Sequence, residues 1–287
     1  MLPQVILNGV VTGLILALPA IALTLTYSIM RFPNFAIGST MTIGAYAAFV
    51  FNSMFHLPLL LAAILGCGVL SLILIATNRA VFAKLEGRTS ITLLVASIGV
   101  SFIFENVARF IFGNAAQSYD APIAGSYHLW HLRVNQEQGY AVLTVLAAVI
   151  AIYVMLNHTA LGRSMRAVSD NPGLAAVRGI NRKSVINRVW LVAGILTGAA
   201  GVLAGLDRAI DPQLGSSYLI SVFAAAIIGG LGSAAGAVLG ALSIGLAEEL
   251  STLVISPNYR EATGFIAIAL ILLLKPQGFF GTLRIKK

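Results

Sequence analysis

The chain has 287 residues, of which 58% are hydrophobic and only 10% charged, with a net charge of +8 at pH 7 and a single cysteine. A mean hydropathy of +0.92 is more than a soluble core of this length could bury, which excludes a soluble globular domain and implies a polytopic membrane protein. The basic excess gathers in a few loops between apolar runs, so it marks membrane sidedness and not a nucleic-acid partner.

Crossing a hydrocarbon layer of roughly 30 Å as helix takes about 20 apolar residues. The first such run, 5–30, has no basic segment before it and outlasts a signal peptide, so it reads as a retained first helix. "RFPNFAIG" interrupts it, and runs 36–54 and 58–78 follow; Cys67 lies in the latter and reads as a packing residue, with no internal disulfide possible. Next comes a basic loop, "NRAVFAKLEGRTS", with Arg79, Lys84 and Arg88. Runs 91–112 and 140–156 flank a connector, 113–139, that holds two acids and one arginine and is expected to face outward. His128, Trp130 and His131 in it suit either a binding-protein contact or an aromatic anchor at the lipid interface. A second basic loop carries Arg163, Arg166, Arg178, Arg182, Lys183 and Arg188. Runs 189–206, 218–230, 235–255 and 263–274 complete the set before the basic tail "KPQGFFGTLRIKK".

Nine crossings put every basic loop on one side, the cytoplasmic one by the positive-inside rule, and the N-terminus outside. The fold class expected is therefore all-α, with about 8–9 transmembrane helices in one transmembrane domain. Its parts are a first repeat at 5–157, a cytoplasmic coupling loop at 158–188, a second repeat at 189–275 and a tail at 276–287. Run 218–230 reaches only about 20 Å as helix. It is either a partial helix broken at "GGLGS" or a short helix thickened by its neighbours.

At a constant offset of 177, Arg31 aligns with Arg208, Gly38 with Gly215, Ser39 with Ser216, Thr40 with Ser217, Ile43 with Ile220, and Ala47 and Ala48 with Ala224 and Ala225. The charge-derived topology places Arg31 on the inner side and Arg208 on the outer, so the repeat is inverted, as in many transporters. "NFAIGSTMT" and "DPQLGSSYL" then become equivalent helix starts, with Asn34 and Asp211 as caps. Asn34, Ser39, Thr40, Ser216, Ser217 and Tyr218 are the candidate pathway residues, unless the hydroxyls bond back to their own helices. Several GxxxG pairs, such as Gly194 and Gly198 or Gly236 and Gly240, suit close helix packing.

Glu105, Glu248 and Glu249 fall toward the outer ends of their runs, and no acid or histidine sits at a run centre, which argues against ion coupling. His56, His128, His131 and His158 lack metal-ligand spacing, and no G-x-x-x-x-G-K-[ST] loop is present. The chain is thus expected to be non-catalytic, with no metal or cofactor of its own; ATP and Mg, if used, belong to partner subunits.

In "SDNPGLAAVRGI", Asn171 suits the N-cap, Pro172 the first helical position and Gly179 the left-handed position past the end. Leu174, Ala175 and Ala176 lie between them on a helix too short to be stable alone, which either lies on lipid or docks on a partner as a coupling helix.

Together, "LNGVVTGLILALPAIALTLTYSIMRFPNFAIGSTMTIGAY", "ENVARFIFG", "GRSMRAVSDNPGLAAVRGIN", "FAAAIIGGLGSAAGAVLGALSIGLAEEL" and "KPQGFFG" resemble the LivH-type permeases of bacterial branched-chain amino acid ABC transporters, over nearly the whole chain. The resemblance implies a type II-like importer permease in the bacterial inner membrane. Its partners would be a homologous second permease, two cytoplasmic ATPase subunits, a periplasmic substrate-binding protein and membrane lipid. Residues Asn171 to Gly179 correspond to the family's coupling segment. Ile37 stands where relatives often carry histidine, which leaves branched-chain amino acids, urea, short amides and aromatic acids open as substrates. A self-sufficient carrier or channel is the alternative that the repeat and interrupted helices would also suit.

Overall fold

The computed structural model describes residues 2–120, 126–129, 132–254, 256, 259–275 and 278–280. Trp130, His131 and tail residues 276–277 and 281–287 lie outside the described residues. Helices dominate: α1 (Leu2–Met30), α2 (Ile37–Phe49) with a π-helical extension (Val50–Met54), α3 (Leu59–Ala80), α4 (Ser90–Phe112), α5 (Gln136–His158), α6 (Ala160–Asp170), α7 (Pro172–Val177), α8 (Arg182–Asp207), α9 (Leu214–Gly229), α10 (Ala234–Ser251) and α11 (Arg260–Leu274). One departure from the all-α expectation is a two-stranded antiparallel ribbon in the connector, β1 (Ser126–Leu129) against β2 (Leu132–Asn135).

Each apolar run of the sequence is a helix. Among the described residues, α1, α3, α4, α5, α8 and α10 are individually long and apolar enough to cross a membrane, while α9 and α11 are shorter apolar helices. The break at "GGLGS" is present: α9 ends at Gly229, Gly230 and Gly232 take φ of 94° and 101°, and the Ser233 hydroxyl caps α10 by accepting from Gly236 N–H at 3.0 Å. Only glycine adopts such backbone at little cost. The short helix begins earlier than its hydropathy suggests, at Leu214, because Gly215 and Ser216 are polar or small yet helical.

Helices α1 and α8 form the centre, with 67% and 72% of their most apolar stretches buried, against 22% for α4 and 17% for α5. The exposed faces of α4 and α5 carry Ile91, Val95, Phe102, Phe110, Leu143, Ile150 and Tyr153, apolar surface that only lipid or a partner can cover. Close approach in the centre rests on small residues. A Cβ on Gly13 would lie 2.8 Å from Leu242 Cα of α10, and one on Gly44 2.7 Å from Gly198 Cα of α8.

The two ends of the bundle differ. At one end the basic loops meet, with Arg182 paired to Glu86. The opposite end holds the start of α1, where Asn8 Oδ1 accepts from Gln138 Nε2 at 3.4 Å, and the connector, where Gln117 and Ile210 exchange backbone hydrogen bonds of 2.8 Å. Tyr119 lies buried beneath that connector and donates to Ala45 O at 3.1 Å; burial pushes its phenol pKa up, so it stays neutral at physiological pH.

Candidate functional site

Two sites were expected, and they lie at different depths. The first is α7. Asn171 Oδ1 accepts from Leu174 N–H at 3.0 Å, Pro172 occupies the first turn, and Gly179 takes a φ of 79°. Ile180 N–H bonds to Ala175 O and Gly179 N–H to Ala176 O, both at 2.9 Å. This pair of bonds is a Schellman closure, so six helical residues are stopped at both ends. Ala175 is buried, whereas Leu174 and Val177, three apart on one face, are 58% and 85% exposed, and Ala176 is exposed beside them. The helix is seated through one small side chain and offers its apolar face outward, at the basic end of the bundle. Ahead of it, within the loop expected at 158–188, α6 is an amphipathic helix burying Gly162, Met165 and Val168.

The second site joins the starts of α2 and α9. Asn34 Oδ1 accepts from Ala36 N–H at 3.1 Å, and Asp211 Oδ1 from Gln213 N–H at 2.7 Å. Both carbonyl-side oxygens do take up a backbone donor, but from two residues before the cap and not as the cap itself, since the α-helices begin at Ile37 and Leu214. The hydroxyls also correspond: Ser39 donates to Ala36 O and Ser216 to Gln213 O, while Thr40 donates to Ile37 O and Ser217 to Leu214 O, at 2.7–2.9 Å. Ser39 and Thr40 are buried, Ser217 half-buried and Ser216 exposed. With its proton committed to its own helix, each hydroxyl oxygen is left as an acceptor. Asn34, 1% exposed, has its Nδ2 without a partner. Tyr218 is buried with the Arg208 guanidinium 5.3 Å from its ring centroid.

These starts cross. A Cβ on Gly215 would meet the Gly38 carbonyl, and Gly215 N–H donates to Thr42 Oγ1 at 2.9 Å. The structure thus brings Asn34, Ser39 and Thr40 onto the helix start that touches the one carrying Ser216, Ser217 and Tyr218, while α7 stands apart from both.

A charged cluster was missed by sequence reasoning. Glu248, 4% exposed, accepts from Ser221 Oγ of α9 and lies 3.6 Å from Arg260 Nε; Glu249 is 2.7 Å from Arg260 Nη2, which also donates to Thr12 Oγ1 at 3.1 Å. Glu248 is near the end of its own helix, as its position in the run implied. It nevertheless faces the middle of α9, because its partner Ser221 lies midway along the 16 residues of that helix. The adjacent acids with Arg260 eleven residues beyond were the available signal. Opposite charges with matching hydrogen bonds make the cluster a tie between α1, α9, α10 and α11.

Comparison with known proteins agrees with this architecture. The family described as branched-chain amino acid transport system / permease component matches residues 5–274. The chain is 28% identical to the high-affinity branched-chain amino acid transport system permease protein LivH of Escherichia coli K12, and 27% identical to the corresponding protein BraD of Pseudomonas aeruginosa PAO1. Each alignment covers 99% of this chain and 97% of the relative. Its fold is similar to that of a chain in the structure of PsaBC from Streptococcus pneumoniae in complex with Fab, at a TM-score of 0.52 and 12% identity, over 95% of this chain and 92% of that one. A multi-pass helical membrane protein whose sequence matches this family almost end to end, the chain belongs to the branched-chain amino acid transport system permease component family.

Proposed function

We propose that the chain is the permease subunit of an ATP-driven ABC importer in the bacterial inner membrane, carrying branched-chain amino acids or related small polar solutes by alternating access. In this reading α7 is the coupling helix. Cytoplasmic ATPase subunits would grip its exposed face, Leu174, Ala176 and Val177, and the bundle would follow their closure. The single observation that carries the reading is the build of α7: capped at both ends, anchored through Ala175 and presenting apolar surface at the basic end. A helix of six residues gains its stability from what it docks on.

In this reading the domain comprises repeats at 5–157 and 189–275 joined by the coupling loop at 158–188. Matching hydrogen bonds at the starts of α2 and α9 support the repeat. The substrate would pass where these starts cross, beside Asn34, Ser39, Thr40, Ser216, Ser217 and Tyr218. Hydroxyl oxygens that can only accept suit the ammonium or amide N–H groups of such solutes, and the free Asn34 Nδ2 suits a carbonyl or carboxylate oxygen. A second permease, two ATPases holding ATP and Mg, and a binding protein delivering the solute complete the machine.

The test is uptake of labelled leucine by proteoliposomes holding the permease with its ATPase and binding-protein subunits. Ala176→Arg is expected to abolish uptake and binding-protein stimulation of ATP hydrolysis while the permease stays folded. Unchanged uptake would leave α7 a membrane-surface element, and uptake by the chain without its ATPase would favour a self-sufficient carrier.

A further inference from the structure

One side chain ties the end of α6, just ahead of α7, directly to the corner before α2. Arg31 sits at the corner between α1 and α2 with a φ of 59°, a left-handed conformation unusual for a side chain of its size. Its Nη2 donates to Ser169 O at 2.7 Å and reaches Ser169 Oγ at 3.4 Å. Ser169 is the penultimate residue of α6, in the last turn of that helix. Arg31 brings a donor to this turn from another part of the chain, and its positive charge favours the negative end of the α6 dipole. The same serine's hydroxyl donates to Ser28 O of α1 at 2.9 Å, and Ser90 Oγ at the start of α4 donates to Arg31 O at 3.3 Å.

The corner itself is stiff. Phe32 is buried and stacked on Phe82 at 5.4 Å, and Phe82 on Trp190 of α8 at 5.2 Å. Three residues beyond Arg31 is Asn34, and α2 starts at Ile37; two residues beyond Ser169 is Asn171, the cap of α7. A displacement of α6 and α7 would therefore reach the start of α2 through Arg31 Nη2 and a short segment held by an aromatic stack. On the opposite side of the bundle the equivalent corner is held differently: Ile210, just before α9, is bonded through its backbone to Gln117 of the connector. There Arg208 lies over the Tyr218 ring instead of reaching another helix end.

We infer that Arg31 is the positioning residue that carries the motion of the α6–α7 segment to the start of α2, acting as a donor cap in trans on the Ser169 carbonyl. This rests on α7 being the coupling helix. In the complex with its ATPase subunits, a cysteine reporter at Ile43→Cys in a Cys67→Ser chain would be labelled by a small maleimide, without nucleotide and after trapping with ATP and vanadate. The labelling rate of the parent should differ between the two states. Arg31→Ala should shrink that difference by about tenfold and leave the rate of ATP hydrolysis within about twofold. Arg31→Lys, which keeps the charge and a donor, should restore much of the difference. A merely structural corner would not distinguish lysine from alanine in this way.

An unaltered difference in Arg31→Ala overturns the inference and leaves the coupling role of α7 intact. No difference in the parent also overturns it, since α2 then does not respond to nucleotide. If Ala176→Arg in the same reporter chain keeps the full difference, the coupling-helix reading itself fails, and this inference with it.

Discussion

At Asn171 and Gly179, two residues set the length of α7, one by a side-chain oxygen and the other by a positive φ. Loss of the Asn171 cap in Asn171→Ala should cost about 1 kcal/mol of local helix stability. Faster amide hydrogen exchange confined to residues 174–177 is the expected sign. Arg260 is a harder case. Arg260→Ala removes the cation that faces buried Glu248 and half-buried Glu249, and removing one partner of a buried charge cluster typically costs about 3–5 kcal/mol. Thermal unfolding of the purified protein in detergent should show a clear fall in Tm. Glu248→Gln should fall less, because an amide oxygen still accepts from Ser221 and Glu249 still holds Arg260.

Among the elements, the crossing of α2 and α9 decides what is tolerated. Any side chain on Gly215 meets the Gly38 carbonyl, and neither is the end of a flexible side chain. Gly215→Val should push the two helix starts apart and lose the folded protein from the membrane fraction. Gly99 on α4 offers the contrast, since nothing lies within 4 Å of a Cβ placed there. Gly99→Ala should raise stability by up to about 1 kcal/mol through helix propensity alone, measured by the same thermal unfolding. Much of this level was legible beforehand. The offset of 177 pairs Ile37 with Leu214, the observed first residues of α2 and α9, and pairs the hydroxyl bonds of Ser39 and Thr40 with those of Ser216 and Ser217. The direction of those hydroxyl protons was not legible, because a serine in an apolar helix can bond back or outward depending on what faces it.

For the whole molecule, the grouping of basic residues at one end predicts orientation. Single cysteines replacing Arg178 or Lys183 in a Cys67→Ser chain should react with an impermeant maleimide only after cells are opened, and one replacing Gln117 should react in intact cells if the connector is outward. The opposite pattern would invert the topology and remove α7 from reach of any cytoplasmic ATPase.

Apolar runs, the break after α9 and the cap of α7 were determined by the sequence alone, since each depends on residues within a few positions of one another: apolar runs of sufficient length, glycines where φ is positive, Asn171 three residues from the amide it caps. What only the tertiary structure decided are contacts between segments far apart in the chain. Arg31 reaches a carbonyl 138 residues away, and Glu248 finds Ser221 across 27. Such partners are chosen by how closely helices approach and where along each other they meet. Those distances come from the packing of the whole bundle and are written in no local stretch of it.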